Sequence, residues 1–266
     1  MNLNFQAWAL EAGIMPILFL LGIFLFVLIG QAIGRYKLKK SGNQKVGVHD
    51  QFIAAIYGLT ALLIAFSFSS AIDHFDDRRK LTLNEVNSIA AVYDSSLSLM
   101  PPDREKLQEG IKNYVDNRVA ISQTRNNLTE IQKEVIEQDK LGKRLSDLVL
   151  KISTSKASAT NALLGQALTN QMANLTDIFR QQKIAFRNHP PLLIFRALLI
   201  MVCVVSLLSG YSMAIKKESD LFLAAIFGFL MAGAIFVILT LEFPYFGPIQ
   251  PDDFHDEFIL LRHLMG

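Results

Sequence analysis

Four long apolar stretches constrain the fold of this chain more than any other feature of its sequence. Each holds about 20 mainly apolar residues, the length that a helix needs to cross a hydrocarbon core of ~30 Å. They cover residues 14–33, 52–72, 192–215 and 221–241, and charged residues bound each of them. Hydrophobic residues make up 51% of the chain, which supports the same interpretation. The sequence therefore predicts an all-α integral membrane protein with four transmembrane helices.

The region between the second and third stretches has a different pattern. Across residues 73–190, apolar residues recur every three or four positions, which is typical of amphipathic helices. Stripes of this kind begin near Val86, Leu107, Leu128 and Leu164, and they can be buried against one another as an extramembrane helical bundle. No helix breaker lies between residues 52 and 99, so the second span is expected to continue into this bundle as one helix, which Pro101 and Pro102 end.

These patterns divide the chain into four parts. Residues 1–72 hold transmembrane helices 1 and 2 with a basic connecting loop, and residues 73–190 form the bundle inserted between helices 2 and 3. Residues 191–241 hold helices 3 and 4, and residues 242–266 form a C-terminal segment with a short amphipathic helix. The first stretch lacks the basic start and cleavage site of a signal peptide, so we expect it to remain as a helix.

The positions of basic residues predict the orientation. Lys and Arg are absent from residues 1–34 and are concentrated in the two short loops, at Arg35, Lys37, Lys39, Lys40, Lys45, Lys216 and Lys217. Because basic short loops remain in the cytoplasm, the helical bundle is expected on the outer side of the membrane.

Several function classes find no support in the sequence. The formal net charge of +2 gives no reason to expect a nucleic-acid partner, and Cys203 is the single cysteine. No catalytic or phosphate-binding motif is present, so we expect neither an enzyme nor a cofactor. The C-terminal tail has metal-ligand residue types, but Phe254, Phe258, Leu261 and Met265 are spaced as on a short amphipathic helix. We therefore predict no metal site.

The second span carries the candidates for a pore lining. Thr60, Ser67 and His74 recur at intervals of seven and share a helix face with Ile64. Such a polar line can face a water-filled path, in which Phe66 and Phe68 would form a hydrophobic constriction. Alternatively, the hydroxyl groups bond to their own backbone or to a neighbouring helix. Both interpretations are open at this stage.

Two further sets of residues are candidates for contacts between helices. Arg196 lies one turn inside the third span and Glu242 at the end of the fourth, so both are expected at the bundle-side membrane surface. They can form a structural ion pair or an ion-selecting site, or Arg196 can extend to the lipid headgroups. Small residues spaced four apart permit close helix packing, within one chain or between subunits. They are Gly30 and Gly34 in the first span and Ala224, Gly228 and Ala232 in the fourth.

Five segments of the sequence resemble one family. They are residues 58–69 (GLTALLIAFSFS), 75–79 (FDDRR), 85–89 (EVNSI), 174–180 (NLTDIFR) and 242–247 (EFPYFG). Together they resemble the bestrophin-like membrane proteins of bacteria, which are distantly grouped with the bestrophin anion channels. The resemblance implies a multi-pass protein of the bacterial inner membrane, with the bundle in the periplasm under the orientation above. It also implies a homo-oligomer in the lipid bilayer that passes inorganic ions, anions in particular, with transmembrane helix 2 nearest the axis.

A second function class is compatible with the same architecture. The chain could be a membrane-anchored sensor or scaffold whose helical domain binds a ligand or a partner protein. A second span that continues into the bundle would suit signal relay as well as ion passage.

Overall fold

The computed structural model describes residues 5–41, 50–124, 128–154, 159–185, 192–217, 221–242 and 255–266. Within these ranges every regular element is a helix, as predicted. The elements are α1 (Phe5–Lys40), α2 (Asp50–Ser96), α3 (Asp103–Gln123), α4 (Leu128–Thr154), α5 (Ala159–Ala185), α6 (Leu192–Lys216), α7 (Leu221–Glu242) and α8 (His255–Leu264). Four of them, α1, α2, α6 and α7, are long and apolar enough to cross a membrane. The expectation of an all-α membrane protein with four spans is confirmed.

Helix α2 is the longest element and belongs to both compact units of the chain. It is one continuous helix of 47 residues, which confirms the prediction for this segment. It ends at Ser96, five residues before Pro101, and α3 begins at Asp103, whose carboxylate suits the positive end of a helix. The first unit comprises the described residues of Met1–His74 and His189–Pro248, and the second those of Phe75–Asn188 and Ile249–Gly266.

In the first unit, glycines let α1 and α6 pack with their backbones in contact. A Cβ atom on Gly30 would overlap the backbone carbonyl of Leu207, and one on Gly210 would overlap that of Val27. A Cβ on Gly34 would lie 2.7 Å from the Cβ of Ala214. Packing of this kind is the main source of helix association in lipid.

The predicted small residues of α7 also contact their own chain. Ala224 and Ala232 are buried, and a Cβ on Gly228 would lie 3.3 Å from Ile23 Cγ2 of α1. Both small-residue motifs therefore pack helices within one chain.

The second unit is a helical bundle with a single apolar core. The core combines residues of α2, α3, α4 and α5 with residues of α8. Phe258 and Leu261 of α8 and Met265, directly after it, belong to this core; they are three of the four residues that the spacing placed on one helical face, and Phe254 lies outside the described residues. The Tyr93 hydroxyl donates a hydrogen bond of 3.0 Å to the Met265 carbonyl, and Arg262 pairs with Asp116 at 2.6 Å. The amphipathic C-terminal helix is thus part of the bundle.

Candidate functional site

Helix α2 is covered unevenly within its own chain. In its most apolar 18-residue stretch only 6% of the residues are buried, against 28% in each of the other three spans. Its exposed residues recur every three or four positions, which places them on one face of the helix. We call this the uncovered face; its large members in the span are Phe52, Leu59, Leu62, Phe66, Phe68 and Ile72.

The opposite side of α2, the covered face, packs against α7. The ring of Tyr57 meets the ring of Phe227 edge-on, with 6.0 Å between centroids. Nearly five turns later, Nδ1 of His74 lies 3.1 Å from Oε2 of Glu242. These two contacts join α2 to α7 near opposite ends of the span.

The polar line predicted from the sequence falls on this covered face. Thr60 is 2% exposed, and its hydroxyl donates a hydrogen bond of 2.8 Å to the Ile56 carbonyl of its own helix. Ile64, Ser67 and His74 are partly covered, whereas Phe66 and Phe68 are exposed. The structure therefore separates the two phenylalanines from the hydroxyl-bearing residues, and it places the bond of Thr60 where the backbone-bonding alternative expected it.

Glu242 has a different partner from the one that the sequence indicated. Its carboxylate is buried and lies within hydrogen-bond distance of the His74 imidazole, 3.1 Å from Oε2 and 3.2 Å from Oε1. Arg196 is exposed, and no ion pair joins it to Glu242 among the described residues. The physical reason is that α2 brings His74 to the end of α7, while a buried carboxylate needs a close partner.

A second polar cluster lies inside the bundle, around Glu85 of α2. Its carboxylate has no exposed surface and accepts three hydrogen bonds, from Arg118 Nη2 at 2.6 Å, Gln182 Nε2 at 2.8 Å and Tyr114 Oη at 2.9 Å. The Arg118 guanidinium lies 5.1 Å from the ring centroid of Phe258 on α8. We call these residues the Glu85 network. It joins α2 to α3, α5 and α8.

The network stabilises the buried carboxylate of Glu85. A charge removed from water destabilises the fold unless it is paired and hydrogen-bonded, and both conditions hold at Glu85. Burial and the neighbouring Glu85 carboxylate raise the pKa of the Tyr114 phenol well above its ordinary value, so the phenol remains a donor. The cluster contains no nucleophile next to a base. Its hydrogen bonds and ion pair hold α2 in one position in the bundle.

Sequence reasoning gave these residues no role, although a signal was present. Glu85 stands four residues before Ile89 and seven before Val92, so a carboxylate occupies the buried stripe of α2. Tyr114 and Arg118 are also four apart, which places both on one face of α3. A charged residue within an apolar stripe needs a partner in the core.

No group of three potential metal ligands is close together in the described part of the chain. The acidic and histidine residues of the C-terminal tail lie partly outside those ranges. The described His263 is exposed on α8.

Comparison with known proteins gives the family. The model of the bestrophin-like domain matches residues 18–251, which is most of the chain. This chain belongs to the bestrophin-like family. No curated protein matches the sequence. The family region includes α2 with both of its faces, the His74–Glu242 contact and the four hydrogen-bonded residues of the Glu85 network, while α8 with Phe258 lies beyond its end.

Solved structures agree with this assignment. A bacterial bestrophin homologue from Klebsiella pneumoniae, crystallised as a single-substitution variant, has a TM-score of 0.70 to this bestrophin-like chain at 10% sequence identity. The alignment covers 93% of this chain and 98% of the homologue. A second variant of the same homologue gives a TM-score of 0.67, also at 10% identity, over 91% and 98% of the two chains. At this identity the likeness establishes a shared fold.

Proposed function

We propose that this bestrophin-like chain forms a homo-oligomer in a bacterial inner membrane and passes inorganic ions along its axis, with α2 nearest that axis. The observation that carries the proposal is the low coverage of α2 within its own chain, 6% against 28% for each of the other spans. A helix that its own chain leaves open on one face can line a path once copies of the chain surround an axis. The family resemblance favours the same arrangement.

The uncovered face supplies a suitable lining. Leu62 and Phe66 are 50% and 65% exposed in the single chain, and they lie about one turn apart. Rings of such side chains form the hydrophobic constrictions that gate channels by dewetting. In this proposal the lining moves from Thr60, Ser67 and His74 to the opposite, uncovered face, and Phe66 and Phe68 stay in it.

The acidic residues that follow the span bear on the sign of the ion. Asp73, Asp76 and Asp77 are exposed at the end of the apolar part of α2. Rings of carboxylates attract cations to a pore mouth. In this proposal the three carboxylates favour cations at the pore mouth, in contrast to the anions that the resemblance implies.

Flux through liposomes tests the proposal. The purified protein is sized by light scattering, reconstituted, and assayed for ion flux against protein-free vesicles. Phe66→Ala should raise the flux because it removes bulk from the constriction, and Ser67→Ala, one residue away on the covered face, is the control that should leave it unchanged. A monomeric protein, flux no greater than in empty vesicles, or equal effects of the two substitutions would reject the proposal.

A further inference from the structure

An open cavity of about 180 Å³ lies among α3, α4 and α5 at the surface of the bundle. The rings of Tyr114 and Phe179 and the side chains of Met172 and Leu175 form its apolar wall. An engineered apolar cavity of roughly 150 Å³ takes up benzene, so this volume can hold a body of one six-membered ring.

The other wall of the cavity is cationic. Lys143, Arg180 and Lys183 border it, together with a single carboxylate, that of Asp139. Asp139 bridges the two lysines, with Oδ1 at 2.8 Å from Lys183 and Oδ2 at 2.9 Å from Lys143. Hydrogen bonds from Lys183 and Lys143 lower the pKa of Asp139. Each ammonium group has three donors, so both lysines keep donors for a further acceptor.

Gly142 lies between these two walls, in the interior of α4. Glycine destabilises a helix interior relative to alanine, so such a position needs a reason. A Cβ atom on Gly142 would lie 3.6 Å from Tyr114 Cε2, which is ordinary van der Waals contact. The packing of the described residues therefore does not require glycine here. Its absent side chain leaves space next to the Tyr114 ring.

We propose that this cavity binds a small organic anion in which a carboxylate is attached to an apolar body the size of one ring. The carboxylate would lie at Lys143 and Lys183, and the ring would pack on Tyr114 and Met172 beside Gly142. An apolar wall with a few placed cations is the usual composition of a small-molecule site. The site would give the helical domain a ligand of its own, whether or not the protein passes ions.

Calorimetric titration of the full-length protein in detergent tests the proposal with benzoate as the probe. Benzamide has the same shape without the charge, so it reports uptake by the apolar wall and by micelles. Benzoate should bind at least roughly tenfold more tightly than benzamide, because charge-assisted hydrogen bonds are about twice as strong as neutral ones. Sulfate at equal ionic strength lacks the ring and should not displace benzoate.

Asp139→Asn gives the sharpest test because it should improve binding. It removes the carboxylate that competes for Lys143 and Lys183, so the affinity for benzoate should rise several-fold while that for benzamide stays constant. Glu137→Gln is the matched control. It is two residues away on α4 and changes the net charge equally, but Glu137 pairs with Lys140 outside the cavity.

Two further variants test the site if the first one fails to fold. Gly142→Leu should abolish binding by filling the cavity, and Lys183→Gln should weaken benzoate roughly tenfold. The proposal fails if benzoate and benzamide bind equally, if neither binds at millimolar concentration, if sulfate displaces benzoate, or if Asp139→Asn and Glu137→Gln have the same effect. Binding is measured without any flux assay, so these outcomes do not depend on ion passage.

Discussion

The phenol of Tyr114 donates a hydrogen bond of 2.9 Å to Oε1 of Glu85, and both side chains are buried in the bundle. Tyr114 thereby connects two features. Its hydroxyl belongs to the Glu85 network, which holds α2, and its ring forms part of the cavity wall. A change at the ring can therefore reach the helix that we propose to lie nearest the axis.

Tyr114→Phe should lower the stability of the bundle by about 1–2 kcal/mol at neutral pH, because one hydrogen bond to a buried carboxylate is lost. It should also change the response to alkali. The pKa of Tyr114 is raised in the folded protein, so the stability contributed by its proton is present below about pH 10 and is lost as the pH rises toward the folded-state pKa.

Thermal unfolding in detergent at pH 8 and at pH 10.5 measures both effects. The wild type should lose more stability between the two pH values than Tyr114→Phe does. The exposed Tyr36→Phe is the control and should behave as the wild type. An equal loss in wild type and Tyr114→Phe would contradict this assignment.

Glu85 and Arg118 should be strongly coupled. Glu85→Gln or Arg118→Met alone leaves a buried charge without its main partner, which should destabilise the bundle by about 3–5 kcal/mol. The double variant should lose much less than the sum, because neither charge is then left unpaired. A double-mutant cycle in chemical denaturation gives the coupling energy, and additive losses would remove the pair from the explanation of stability.

The sequence predicted those features that depend on local pattern. The four spans, the continuous helix α2 and the stripes of the bundle follow from runs and periods of apolar residues. Leu97 shows a limit of that reasoning. Because no helix breaker lies before residue 99, the sequence placed Leu97 within α2, but the helix ends at Ser96 and Leu97 is 52% exposed.

Contacts between distant residues could not be predicted in the same way. The pairing of Glu85 with Gln182 joins residues 97 apart, and that of His74 with Glu242 joins residues 168 apart. Periodicity showed that Thr60, Ser67 and His74 share a face, but which helix covers that face depends on how α7 packs. A polar residue on a membrane helix has the same sequence signature whether it faces water or a neighbouring helix.

Gly30→Ala should destabilise the membrane-spanning unit by about 1–3 kcal/mol, because the new Cβ would meet the backbone carbonyl of Leu207 and separate α1 from α6. Gly22→Ala is the matched control in the same helix. A Cβ there meets nothing within 4 Å, so this variant should be neutral or slightly stabilising. Thermal stability in detergent checks the pair, and equal effects would contradict the close approach at Gly30.

The orientation can be tested with single cysteines in a Cys203→Ala background. Ser41 follows the basic end of α1, and Lys133 is exposed on α4 of the bundle. If the basic short loops are cytoplasmic, a membrane-impermeant thiol reagent should label Lys133→Cys but not Ser41→Cys in intact cells. Both should be labelled after the cells are opened. Labelling of Ser41→Cys alone in intact cells would reverse the orientation.

The last prediction concerns the charge of the ions that pass, and it rests on the proposed function. If α2 surrounds an axis, each subunit contributes Asp73 and Asp76 at the end of the span, and the resulting ring of carboxylates should concentrate cations at the mouth. Asp76→Asn should then lower the ratio of potassium to chloride permeability. Lower ionic strength should enlarge the difference between wild type and variant, because exposed charges are less screened.

The reversal potential in a planar bilayer under a potassium chloride gradient measures this ratio. Glu109→Gln is the control, since it removes an exposed carboxylate of α3 in the bundle and changes the net charge equally. The reversal potential of the wild type should lie toward the equilibrium potential of potassium. Of the two substitutions, only Asp76→Asn should move it toward that of chloride. A wild type that selects chloride, or equal shifts in Asp76→Asn and Glu109→Gln, would show that these carboxylates do not face the ion path.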